Sequence, residues 1–283
     1  MALTRAYEEH EVIPEIRRMY ASIRAGFDLP FVPTIFKLAA GMPQYLKTVW
    51  QDLEGVVCSR EFETAGRALQ EIAHSAAVSG GWTFSDQSAV LAADKFSNAD
   101  IRVIGGIVGL FARATAQVGL FARLMQRGYS GGQKGRVTRQ KQVSALAQMV
   151  RVHIPKEREA GLRVWLIYSD IRKTTGAKNV LSLYRVLSPF PSYLASAWLD
   201  SKKLLAEPSF VAATEELNRR TRALLTGLPV KDHRSALKEF DPAQWREIEE
   251  TVDGFARLLP QFVLLTSVWQ RSFPNAARLI GAA

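Results

Sequence analysis

Arg113 with Gln117, and Arg257 with Gln261, each place a guanidinium and an amide four residues apart in an otherwise apolar stretch. Side chains at i and i+4 share one face of a helix. An arginine buried on such a face is costly without an anion, so each must meet a carboxylate of the protein or an acid from outside. The residues leave both open. Thr34 and Ser182 form a second pair, heading the runs Thr34-Ile35-Phe36-Lys37-Leu38 and Ser182-Leu183-Tyr184-Arg185-Val186, which share the order hydroxyl, aliphatic, aromatic, cation, aliphatic. Such hydroxyls are expected to cap a helix start, with a ligand role as the alternative. Asp52 and Asp200 each follow a tryptophan by two residues and are expected to cap a helix or pair with cations such as Arg24 and Arg172, with a functional carboxylate as the alternative.

Other chemistries lack their residues. The four histidines, His10, His74, His153 and His233, have no metal-ligand spacing. The glycines at Gly105-Gly106 and Gly131-Gly132 follow no strand that could open a phosphate loop, and no Gly-x-Ser-x-Gly elbow occurs. Cys58 is the single cysteine, which excludes an intrachain disulfide and a paired-thiol redox centre. No cofactor and no metal is expected.

The elements that must position these residues come in two sets. Tyr20-Ala21-Ser22-Ile23-Arg24 returns 148 residues later as Tyr168-Ser169-Asp170-Ile171-Arg172, and the same offset carries Tyr45-Leu46, Trp50 and Phe62 onto Tyr193-Leu194, Trp198 and Phe210. Phe111-Ala112-Arg113 matches Phe255-Ala256-Arg257 at a slightly shorter offset. Apolar residues recur at helical spacing throughout, and Pro43, Pro191 and Asp241-Pro242 mark helix starts. The expected fold is all-α: two tandem homologous repeats of about six helices each, forming an intrachain pseudo-dimer with any site where the halves meet. The repeats would span 1–127 and 154–283, joined by a basic, Gly-rich linker at 128–153. The paired tyrosines and tryptophans are expected to pack the core.

The net charge of +10 and pI near 9.9 raise a polyanion as partner. The charge is spread, apart from Arg123, Arg127, Lys134, Arg136, Arg139, Lys141 and Arg151, a run without Asp or Glu. A solvated linker is the expectation there, with polyanion binding as the alternative. Glu8, Glu9 and Glu11 precede any apolar run, and Arg113, Gln117 and Arg123 interrupt the most apolar stretch. A cytoplasmic protein with no membrane partner is expected, with self-association left open.

Leu29-Pro30-Phe31-Val32 through Met42-Pro43-Gln44-Tyr45-Leu46, and again Gly176 through Phe190-Pro191, resemble the group I 2-haloacid dehalogenase family. The pattern is also similar to the wider carboxymuconolactone decarboxylase and alkylhydroperoxidase-like helical superfamily, whose peroxidases use a Cys-x-x-Cys that this chain lacks. The resemblance implies a pocket between two helical repeats that takes a small, halogenated carboxylic acid and hydrolyses it by direct water attack, without a covalent enzyme ester. Phe31, Pro33 and Thr34 would line it, with Arg113, Gln117, Ser182 and Tyr184 as further binding residues. In that family an aspartate after a serine activates the water, assisted by an asparagine. Here Ser182 is followed by Leu183, and the asparagine position falls near Ala112 or Arg113. A base would then have to come from elsewhere, such as Asp28, Asp170 or Asp200. The alternative is a homologue that binds a ligand, or serves as a structural helical protein, without dehalogenating.

Overall fold

A computed structural model describes residues 5–85, 91, 93–129, 152–230 and 240–273. Among them ten α-helices have defined bounds: α1 Pro14–Phe27, α2 Thr34–Ala39, α3 Pro43–Val57, α4 Arg60–Ser79, α5 Asn98–Gln126, α6 Leu162–Thr175, α7 Ser182–Val186, α8 Pro191–Leu205, α9 Pro208–Leu225 and α10 Pro242–Arg271. A 3-10 turn at Glu157–Glu159 precedes α6. Lys134, Arg136, Arg139, Lys141 and Arg151 of the basic run lie outside the described residues.

Local sequence explains most starts. Proline opens α1, α3, α8, α9 and α10, where its missing N–H would be unpaired anyway. The Ser59 hydroxyl accepts from the Phe62 amide ahead of α4, Ser97 and Asp100 form a capping box at α5, and Asp241 accepts from the Ala243 amide at α10. α1 and α6 both stop at a left-handed residue, Asp28 at φ 51° and Gly176 at φ 68°. Thr34 and Ser182 do not cap, contrary to the sequence expectation. They are the first residues of α2 and α7, after Pro33 and Leu181, and their side chains turn inward.

α5 and α10 are the central pair, crossing with Gly119 beside Leu259 and Val263, and Thr115 Oγ1 lies 3.1 Å from Thr266 Oγ1. α5 is long and apolar enough to cross a membrane, more so than its charged residues suggested. Of its most apolar 18-residue window, however, 83% is buried inside the fold. α4 and α9 cover the central pair, and one contiguous apolar core runs through all of these helices.

The paired aromatic residues pack that core. Phe27 meets Phe36, Trp50, Phe62 and Phe121 at 5.5–6.2 Å between ring centroids, and Tyr184 meets Trp198 and Phe262. Trp50 Nε1 donates to Ser22 Oγ, which donates to Glu54; Trp198 Nε1 donates to Asp170, which also binds Lys202. One geometry is thus built with opposite charges. The arginines choose partners other than those expected. Arg24 pairs with Glu9 and Arg172 with Glu157, because both face the segment running into their own helix. Asp200 instead accepts from the amide and hydroxyl of Ser85 and pairs with Lys203.

Candidate functional site

The short helices α2 and α7 meet at their first residues, Thr34 Oγ1 lying 2.8 Å from Ser182 Oγ. Beneath this hydroxyl pair is a cavity of about 60 Å³. Phe31, Pro33, Leu181 and Leu183 surround its mouth, and α5 and α10 supply the floor through Phe111, Ala114, Thr115 and Val118 against Phe255, Leu259 and Phe262. Phe31 stacks on Phe111 at 5.0 Å. No Asp, Glu, His, Cys, Lys or Arg is among the described residues that line this chamber.

Thr34, Leu181 and Phe255 also border a larger outer cleft of about 530 Å³. The loop after α6 forms one wall, with Gly176, Lys178 and Asn179, and α10 forms the other, with Glu247, Glu250, Thr251, Phe255 and Arg257. The arrangement is a charged vestibule bordering an apolar chamber with three hydroxyls. It can hold a small molecule with an apolar body and one ionic end.

Of the residues expected at a site, Phe31, Pro33, Thr34 and Ser182 lie in the chamber wall. Arg113, Gln117 and Tyr184 do not. The α5 residues that face the chamber, 111, 114, 115 and 118, form an i, i+3, i+4, i+7 stripe, which leaves Arg113 and Gln117 on the neighbouring face. Arg113 Nη1 bonds Asp28 Oδ2 at 2.7 Å and Nη2 bonds the Asp28 carbonyl oxygen at 2.5 Å, so its anion is internal. Gln117 is buried toward α4, its Cγ beside Gly66. Tyr184 follows Ser182 by two residues, about 200° around the helix, and is packed among Trp198, Phe262 and Trp269. Burial drives its phenol well above the usual range.

The alternative bases are also outside both spaces. Asp28 is held by Arg113, Asp200 by Ser85 and Lys203, and Asp170 by Lys202 and Trp198. The hydrogen bond from Lys202, then that from Trp198, keeps the Asp170 carboxyl below its ordinary value. Sequence reasoning did not single out Thr115, Lys178 or the two glutamates of the vestibule. The α5 stripe carried a usable signal for Thr115; nothing local marked the others.

The family model described as halocarboxylic acid dehydrogenase DehI matches residues 30–184, more than half of the chain, including every chamber residue outside α10. The chain belongs to the DehI family. Among its relatives is an (R)-2-haloacid dehalogenase of Rhizobium sp. (strain NHG3), 24% identical over 236 residues, covering 81% of this chain and 90% of that protein. Another, from Pseudomonas putida, is 24% identical over 281 residues, covering 93% of this chain and 90% of its own. This DehI-family fold superposes on a D-2-haloacid dehalogenase solved with L-LA at a TM-score of 0.87, with 22% identity and coverage of 96% and 97% of the two chains. A mutant of such an enzyme solved with D-2-CPA gives a TM-score of 0.85 with 23% identity, covering 96% of each chain. The chain is therefore a relative of hydrolytic haloacid dehalogenases.

Proposed function

We propose that the protein binds a small 2-substituted monocarboxylic acid between two related helical halves, and that it does not hydrolyse the acid as its relatives do. The observation that carries this is the chamber wall, which among the described residues has no carboxylate, imidazole, thiol or amine able to take a proton. Direct attack by water needs such a group, and its loss removes a contribution of about 10²- to 10⁴-fold. Leu183 lies in the wall where, by resemblance, the dehalogenases carry their aspartate.

The two halves are the repeats 1–127 and 154–283, joined at 128–153. In support, α1, α2, α3 and α4 each begin 148 residues before α6, α7, α8 and α9. Thr34 and Ser182 are counterparts at that spacing and touch each other, as residues beside a pseudo-twofold axis do. The chamber wall also contains the counterpart pairs Pro33 with Leu181 and Phe111 with Phe255.

Incubation with (R)- and (S)-2-chloropropionate, followed by chloride chromatography, tests the reading. The expected result is saturable binding by calorimetry with no chloride above a heat-killed control. Catalytic chloride release by the wild type would overturn it. One observation favours a hydrolytic reading: Glu247, in the vestibule, has a buried Oε2 with no hydrogen bond among the described residues. Release abolished by Glu247→Gln would establish that reading instead.

A further inference from the structure

The halves differ where the vestibule lies, at the positions of Asp28 and Phe31 and their counterparts. In the first half, Asp28 ends α1 in the left-handed region and its carboxylate and carbonyl oxygen occupy both arms of Arg113. Three positions further on, Phe31 stacks flat on Phe111 and fills the space beside it. In the second half, the counterpart of Asp28 is Gly176, which ends α6 in the same backbone region, and the counterpart of Phe31 is Asn179. Arg257 and Phe255, counterparts of Arg113 and Phe111, are both present. Arg257 is exposed and has no ion pair among the described residues, and Phe255 borders the open space of the vestibule.

We infer that Arg257 is the carboxylate receptor of this protein, and that the ligand's carboxylate takes the place that the Asp28 side chain holds against Arg113. The inference rests on the binding reading above. The first half supplies the template: one guanidinium nitrogen bonds the Asp28 carboxylate at 2.7 Å while the other bonds the Asp28 backbone carbonyl. Lys178, on the loop opposite, adds a second cation. The ligand's apolar body lies on Phe255, in place of the missing aromatic ring, and points past Thr34 and Leu181 into the chamber.

The two acids of the vestibule set the class further. Glu250 and Glu247 lie on α10 about 10 and 15 Å from Arg257 along the axis, at 1.5 Å per residue. They do not crowd a carboxylate at Arg257, but they repel a second anionic group at the outer end. Monocarboxylates with an apolar substituent are therefore preferred over dicarboxylates.

The test rebuilds the first half's arrangement in the second. A Cβ added at Gly176 meets no heavy atom within 4 Å, and Asp28 shows that aspartate adopts the same left-handed backbone. Gly176→Asp is expected to fold and to pair with Arg257 internally. Calorimetric affinity for propionate and for (R)- and (S)-2-chloropropionate should then fall by at least about tenfold, since the tethered carboxylate competes at high effective concentration. Gly176→Asn adds the same bulk without the charge and should lose much less. Arg257→Gln should lose about as much as Gly176→Asp. Wild-type binding that survives unchanged in both Gly176→Asp and Arg257→Gln would overturn the receptor assignment while leaving the binding reading intact. Absence of binding by the wild type to any of the three acids would sink the binding reading itself.

Discussion

Replacing Leu183 by aspartate should convert a binding chamber into a weak hydrolase. Leu183 is 2% exposed and lines the chamber directly after Ser182. Removing a buried leucine side chain costs about 2–5 kcal/mol, which for a chain of this size lowers the melting temperature by about 4–20 °C. The carboxyl that replaces it sits among Phe31, Phe111, Phe255 and Phe262, and desolvation raises its pKa above the ordinary aspartate value. The basic form therefore accumulates only as pH rises through that elevated value. Once ionised, it stands where water beside a bound 2-chloro acid can lose its proton, a contribution of about 10²- to 10⁴-fold. Chloride release from (R)-2-chloropropionate, followed by ion chromatography from pH 6 to 10, should appear in Leu183→Asp, rise with pH and level off. Leu183→Asn, equal in bulk but unable to take a proton, should release none. A folded Leu183→Asp protein that binds the acid yet releases no more chloride than Leu183→Asn would refute the reasoning.

Three further outcomes follow from the packing and the ion pairs. Asp28→Ala leaves Arg113 half-buried without its carboxylate and should cost about 1–3 kcal/mol in urea unfolding; an unchanged midpoint would mean that the pair adds nothing. Phe27→Ala empties the ring cluster of Phe36, Trp50, Phe62 and Phe121 and should cost about 3–5 kcal/mol, with a loss below 1 kcal/mol contradicting the account of the core. The folded-state pKa of Asp170 is depressed, so its contribution is present above the ordinary aspartate value and fades as pH falls through the lower folded one. Wild type should exceed Asp170→Asn in stability near neutrality, and that margin should shrink in acid below about pH 4; a margin independent of pH would contradict the assigned pairing.

The all-helical fold was legible because its signals are local. Pro43, Pro191 and Asp241-Pro242 open helices where the sequence placed them, and the apolar spacing of Phe62, Ala65 and Leu69 faces the core. The hydroxyls of Thr34 and Ser182 were visible as a matched pair, but not that they touch. That contact depends on how α2 and α7 meet across 148 residues. Arg113 and Arg257 looked equivalent because the helices around them are similar. Their difference lies 85 residues away from Arg113, at the end of α1, where Asp28 has Gly176 as its counterpart. Sequence comparison shows that exchange, but only tertiary structure shows that an arginine depends on it. Tyr184 misled for a simpler reason: closeness to Ser182 in sequence places it on the opposite face of a five-residue helix.

The central claim is that a small carboxylic acid sits between α7, α10 and the loop after α6, with its apolar part toward the hydroxyl pair. A crystal soaked with 2-bromobutanoate and measured at the bromine absorption edge tests this most directly. The account predicts one bromine peak inside the chamber, close to Thr34 and Ser182, with the carboxylate on the Arg257 guanidinium. Bromine bound only elsewhere on the molecule, with the chamber and vestibule holding solvent alone, would contradict it.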